Sequence, residues 1–197
     1  MMRNIKNLKI IKILLNNPDG SLTKYKLSKI SNTSIAWTIQ FLRKLENEGI
    51  IEKTKVIDVN KLIDYYIKID KKYEQYYFHI SNPLDFFKTT NLDYALTTYA
   101  AENIINHHLF PHKFQAYISK EDYVKWKDLI LTKGLIGNGN VVLIISKGKD
   151  VFKESNKINE LKVVSIPQLL IDLKKEGGVC IEAYNILLNK YVRQKRN

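Results

Sequence analysis

The amino-acid sequence predicts a mixed α+β protein in two parts, and three observations carry that prediction. Residues 1–58 follow the order helix, short helix, turn, helix, strand. Beyond about residue 85 the pattern changes to helices alternating with short, strongly apolar strands. The length, 197 residues and 23.0 kDa, leaves room for two small domains that each bury a core. The order of the first elements is that of a winged helix-turn-helix domain, expected over 1–70. Residues 71–84 are expected to be a connector, and 85–197 an α/β domain.

The first helix is expected over 3–16, where Leu8, Ile11, Leu14 and Leu15 recur at helical spacing, and it stops before the turn Pro18-Asp19-Gly20. The segment SLTKYKLSKIS reads as a short helix capped by Thr23, with Leu27 and Ile30 expected to face inward. A tight SNT turn leads into a third helix over 34–48. Its expected core stripe is Ile35, Ile39, Leu42 and Leu45, and Gly49 is placed to close it in a left-handed conformation. IIEKTKVIDV alternates as a strand, and no protruding basic hairpin is readable beside it. VNKLIDYYIKI follows as an amphipathic helix with Val59, Leu62, Ile63 and Tyr66 on one side. KKYEQYYFHISNP lacks a clean period and ends in the turn signal Asn82-Pro83, which makes it the connector.

In the second part, DYALTTYAAENIINHH reads as a helix capped by Thr97 or Thr98, and KFQAYIS as a strand. SKEDYVKWKDLILTKG is expected to be a helix capped by Ser119 and closed by Gly134. Glu121 and Asp122 would lie in its first turn, where the helix dipole favours acids. GLIGNGN reads as a hairpin-like turn, NVVLIIS as a buried strand and KVVS as a shorter one. PQLLIDLKKEGG is a helix with Pro167 in its first turn, and VCIEAYNILLNKYVRQ is a last helix.

Charge gives the first functional indication. The formal net charge is +12 and the pI about 9.5, a field that attracts polyanions. Lys and Arg outnumber Asp and Glu by thirteen to seven in residues 1–70 and by twelve to six in 131–197, whereas 71–130 carry seven of each. Between residues 20 and 45 there are five basic residues and no acid. No apolar run approaches the roughly 18–20 residues that span a bilayer. The N-terminal MMRNIKNLKIIKILLNN interleaves lysines and has no small-residue cleavage site, so no secretory signal is expected. The single Cys180 excludes an internal disulfide and a multi-cysteine zinc site. A cytoplasmic protein is expected.

With the third helix's apolar stripe turned inward, Ser34, Trp37, Gln40 and Lys44 would project from its other side. On the second helix of a helix-turn-helix that side enters the major groove, its N-terminal residues meeting base edges and flanking lysines meeting phosphate. Gln bonds adenine bidentately, and Ser or Thr serves either a base or a phosphate. The expected DNA contacts are Lys24, Lys26, Lys29, Asn32, Thr33, Ser34, Trp37, Gln40, Arg43 and Lys44, with Lys53 and Lys55 reaching phosphate from the strand. In the competing reading, Trp37 and Phe41 form a protein interface and the same helix face serves as an interaction module.

Little in the chain is suited to catalysis, and no catalytic residue, metal ligand or cofactor is expected. His107, His108 and His112 in HHLFPH lack the helical pair and the nearby carboxylate of a zinc site. Asp150 ahead of Glu160-Leu161-Lys162 is the one arrangement that could serve a metal-dependent nuclease or nucleotidyltransferase-like enzyme. Its spacing is short, and Glu-x-Lys is common by chance in a lysine-rich chain. Cys180 reads as a core residue.

Five stretches in order resemble the AbiEi-type antitoxin and transcriptional-regulator family of type IV toxin–antitoxin systems. They are DVNKLIDYYI (58–67), YALTTYAAENII (94–105), FQAYIS (114–119), GNVVLIISKGKDVF (139–152) and VVSIPQLLIDLKKEGGVCIEAYNILL (163–188). The resemblance implies a winged helix that binds promoter DNA. It also implies a C-terminal domain that assists repression or antagonises a nucleotidyltransferase toxin. The expected function is thus a sequence-specific DNA-binding regulator, an autoregulating antitoxin-like repressor. Its expected partner is double-stranded DNA, with a nucleotidyltransferase toxin and a second copy of the chain as further candidates.

Overall fold

In the computed structural model, residues 2–195 are described. The protein is mixed α+β and divides into two compact units: Met1–Lys71 with Asn185–Asn197, and Lys72–Tyr184. No helix among the described residues is long and apolar enough to cross a membrane.

The first unit contains α1 (Met2–Asn16), α2 (Lys24–Ile30), α3 (Ile35–Asn47), β1 (Ile51–Glu52), β2 (Lys55–Val56) and α4 (Val59–Ile69). Caps set most of the boundaries. The Thr23 side chain accepts from the Lys26 N–H, Ser34 from Trp37 and Asp58 from Lys61, each satisfying a first-turn donor that the helix leaves open. Gly49 follows α3 at φ +67, the left-handed position that glycine takes at least cost. Leu14, Leu15, Leu27, Leu42, Leu45, Leu62 and Ile63 are fully buried and form the core.

Two apolar assignments need correction. Ile30 and Ile35 face outward, 53% and 42% exposed, and the buried side of α3 is Thr38, Phe41, Leu42 and Leu45. The i, i+3, i+4, i+7 spacing of those four covers one stripe. Ile35, in the first turn of the helix, is only partly covered. The single strand expected at IIEKTKVIDV is instead a minimal hairpin: Ile51 pairs with Val56 and Glu52 with Lys55 around a Lys53-Thr54 turn. Lys53 takes φ +57 there, and its N–H donates to Glu46 Oε1 at 2.8 Å. The 17–20 turn packs on this hairpin, the Val56 N–H reaching the Pro18 carbonyl at 2.9 Å.

The second unit is built on a seven-stranded mixed sheet. Its strands are β3 (Gln75–Ile80), β4 (Ala95–Thr97), β5 (Phe114–Ile118), β6 (Gly134–Ile136), β7 (Val141–Ile145), β8 (Asn156–Ile158) and β9 (Leu161–Val163). They lie in the order β6-β3-β7-β5-β4-β9-β8, with β5–β7 and β4–β9 parallel and the remaining pairs antiparallel. The helices are α5 (Pro83–Thr89), α6 (Thr98–Asn106), α7 (Tyr123–Leu131), α8 (Asp150–Lys153), α9 (Ile166–Glu176) and α10 (Cys180–Gln194). The residues of α10 from Asn185 on belong to the first unit. There Tyr191 is buried and its hydroxyl donates to the Leu15 carbonyl.

The expected connector at 71–84 is therefore no linker. Gln75–Ile80 pairs on both sides, with β6 and with β7, and Asn82 caps α5 ahead of Pro83. GLIGNGN does not join a hairpin either, since the strands flanking it, β6 and β7, both pair with β3. α7 begins later than expected, with Ser119 Oγ accepting from the Asp122 N–H, and Gly134 starts β6 instead of closing the helix.

Candidate nucleic-acid interface

The segment from α2 to α3 is held by a chain of hydroxyls. Ser31 Oγ donates to the Leu27 carbonyl at 2.8 Å and lies 2.7 Å from Thr33 Oγ1, which is 2.8 Å from Thr38 Oγ1. Thr38 Oγ1 in turn reaches the Ser34 carbonyl at 3.1 Å. Asn32 takes the left-handed conformation at φ +52, a position that Asn tolerates better than most residues. Thr33, expected at the DNA, thus spends its hydroxyl on the turn, whereas Ser34 Oγ accepts from the Trp37 N–H as the cap. Ser34 and Asn32 remain at the surface.

The exposed face of α3 is Ala36, Gln40, Arg43, Lys44 and Asn47. Ala36 and Asn47 were missed because the expected stripe was rotated toward Ile35 and Ile39. The spacing of Thr38 with Phe41, Leu42 and Leu45 is the signal that would have found them. Trp37 is only half-buried, and its Nε1 donates to Asn7 Oδ1 of α1 at 3.1 Å. Lys6 Nζ lies 5.8 Å from the centre of the indole. Phe41 is buried against Tyr65, ring centres 6.0 Å apart. Both aromatics therefore act within this unit. Asn7, Trp37, Gln40, Phe41 and Lys44 line an open concavity of about 400 Å³. Lys44 Nζ lies 5.3 Å from the Tyr65 ring centre, and its hydrogen bond with Tyr65 raises its pKa above the usual lysine value.

Around this face, Lys26 and Lys29 are exposed on α2 and Lys24 is half-buried. Lys29 Nζ sits 5.3 Å from the Tyr25 ring centre. Lys53 stands exposed at the hairpin turn. Lys55 does not join them. It lines a separate groove with Pro18, Asp19, Tyr191 and Lys195. Taken over whole units, the first carries eighteen Lys and Arg against seven Asp and Glu, the second fourteen against thirteen. The first unit thus holds +11 of the net +12.

The residues weighed for catalysis are dispersed. Asp150 opens α8, Glu160 lies in the β8–β9 turn at φ +68, and Lys162 Nζ pairs with Asp93 Oδ1 at 2.6 Å. His107 ends α6 in a left-handed conformation, and His112 packs on Tyr99 with ring centres 4.4 Å apart. No three His, Cys, Asp or Glu among the described residues come together as a metal-binding set. Cys180 is buried, and burial raises its thiol pKa.

One polar cluster escaped the sequence reading altogether. The buried Asp172 of α9 accepts from Thr97 Oγ1 at 2.6 Å, from the Tyr117 hydroxyl at 2.9 Å and from Gln168 Nε2 at 2.9 Å. Thr97 thus holds the N-cap position of α6 with its hydroxyl turned to Asp172. Only Gln168 and Asp172, four apart on one helix, are near one another in sequence.

No protein-family model, curated protein or solved structure matches the chain.

Proposed function

We propose that the protein is a sequence-specific DNA-binding transcriptional regulator. The α2–turn–α3 segment would act as the helix-turn-helix, α3 as the recognition helix and the β1–β2 hairpin as a short wing. The observation that carries this reading is the concentration of charge: +11 of +12 lies in the unit whose α3 presents Gln40, Arg43, Lys44 and Asn47. Lysines are split evenly, fourteen in each unit, so the difference comes from the four arginines and the fewer acids of the first unit, which coding bias toward lysine does not produce. Long-range attraction of a polyanion by this unit would position it on the phosphates, and the polar side chains of α3 would then read base edges.

The resemblance in 58–188 supports an autoregulating, antitoxin-like repressor, with the second unit assisting repression or engaging a nucleotidyltransferase toxin. A second reading, a protein-interaction surface, is favoured by the exposure of Tyr25 and Ile30 on α2, at 63% and 53%.

The test uses the DNA upstream of the protein's own reading frame and a scrambled duplex of equal length. Gln40→Ala is expected to weaken the upstream duplex by about 1–3 kcal/mol and leave the scrambled one nearly unchanged. Equal weakening of both, or of neither, would remove α3 as the base-reading element. Absence of binding to either duplex at about 50 mM salt would favour the interaction surface.

A further inference from the structure

We infer that the first turn of α3 reads thymine, Ile35 contacting a C5-methyl group in the major groove with Ala36 beside it. The inference rests on the DNA-binding reading above and names the chemistry of the site it recognises. Ile35 opens α3 at 42% exposure, yet the buried side of the helix is completed by Thr38, Phe41, Leu42 and Leu45 without it. Ala36 beside it is exposed as well. On a recognition helix the N-terminal residues are those that meet base edges. Side chains of a helix also lean toward its N-terminus, so Ile35 and Ala36 extend over that end.

The chemistry of the neighbours agrees with this assignment. Gln40 lies one turn beyond Ala36 on the exposed face, which Ile35 flanks at the start of the helix. Its amide complements adenine N6–H and N7, whereas an apolar side chain complements the thymine methyl. An A·T pair presents both groups in the major groove, and no other pair offers that combination. The face is also held rigid. Ser34 caps the helix, and the hydroxyl chain through Ser31, Thr33 and Thr38 fixes the turn, so little ordering remains for DNA to impose. Residues 20–45 carry five bases and no acid, which brings an otherwise apolar Ile35 to a polyanion.

The experiment begins with duplexes enriched from a random pool by the full-length protein at low salt. Each thymine of the enriched site is then replaced singly by deoxyuridine, which removes the methyl group and nothing else. Wild-type protein is expected to lose roughly fourfold in affinity at one or two positions, the worth of one buried methyl. Ile35→Ala is expected to bind thymine and uracil duplexes equally at one of those positions, while Ile35→Val keeps the discrimination. Ile35→Val should melt with the wild type and Ile35→Ala only slightly below it, because residue 35 is 42% exposed and lies outside the fully buried core.

An enriched site indifferent to uracil at every position would overturn the inference and leave the DNA-binding reading standing. Methyl discrimination that persists unchanged in Ile35→Ala would overturn it too, since another side chain would then be the reader. If Ile35→Ala abolishes self-association while thymine discrimination is intact, the residue belongs to a protein interface and the inference fails. Failure to enrich any duplex would overturn both readings together.

Discussion

Thr38 is fully buried on α3, and its hydroxyl serves the turn. Thr38→Val keeps the shape and removes two hydrogen bonds, to Thr33 Oγ1 and to the Ser34 carbonyl. Both former partners retain other bonds, Thr33 to Ser31 and the Ser34 carbonyl to the Thr38 N–H. The expected loss is therefore modest, about 1–2 kcal/mol. It would be read as a lower urea midpoint with an unchanged m-value. Asp172 poses the opposite case, a carboxyl whose burial raises its pKa despite the donors of Thr97, Tyr117 and Gln168. Between the ordinary value of 3.8 and the raised folded one, the folded state binds the extra proton. Stability from this group is thus fullest below 3.8 and falls as pH rises through that window. Asp172→Asn, neutral at every pH, removes this dependence. The melting temperature of the wild type, measured relative to the variant, is expected to fall as pH is raised above 3.8 and then level off. A difference that rises or stays constant with pH would refute the assignment.

At the scale of elements, β3 shows what neighbouring backbone can demand of a sequence. A Cβ added at Gly139 would lie 2.1 Å from the Phe78 carbonyl oxygen, and one at Gly134 2.2 Å from that of His79. Both obstacles are the backbone of β3, which is pinned between β6 and β7 and cannot retreat. Gly139→Ala and Gly134→Ala are each expected to cost about 3 kcal/mol, the upper end of overpacking penalties. Denaturant unfolding measures that loss. The amphipathic helices and their caps were legible beforehand because their signals are local. Val59, Leu62, Ile63 and Tyr66 are all buried, and Thr23 and Ser34 lie where the caps are. β3 was not legible. Only Phe78 and Ile80 of its six residues are buried, and its partners at 134–136 and 141–144 lie more than fifty residues further along the chain. The phase of α3 was misread for a different reason: Ile35 and Ile39 offered a second apolar line, and a buried threonine does not announce itself as core. The Asp172 cluster draws on three segments, so no local pattern could reveal it.

For the whole molecule, the first unit is discontinuous in sequence, since Leu187 and Tyr191 of α10 are buried in the chain's last segment and count with residues 1–71. A test of DNA binding therefore calls for the full chain. The same division makes the charge argument checkable. If binding is carried by the first unit, with about six phosphates contacted, affinity should fall about a thousandfold between roughly 50 and 200 mM salt. Replacing one phosphate-contacting lysine, Lys26→Ala or Lys29→Ala, should lower the slope of log affinity against log salt by about one and weaken all sequences alike. Lys133→Ala and Lys153→Ala remove exposed charges of the second unit and should leave that slope unchanged. Salt titrations of the four variants on one scrambled duplex separate the alternatives. If all four lower the slope equally, the protein binds through its overall charge, and the α2–turn–α3 face has no privileged role. If only the first-unit variants lower it, the phosphates lie along that face, as its exposed lysines predict.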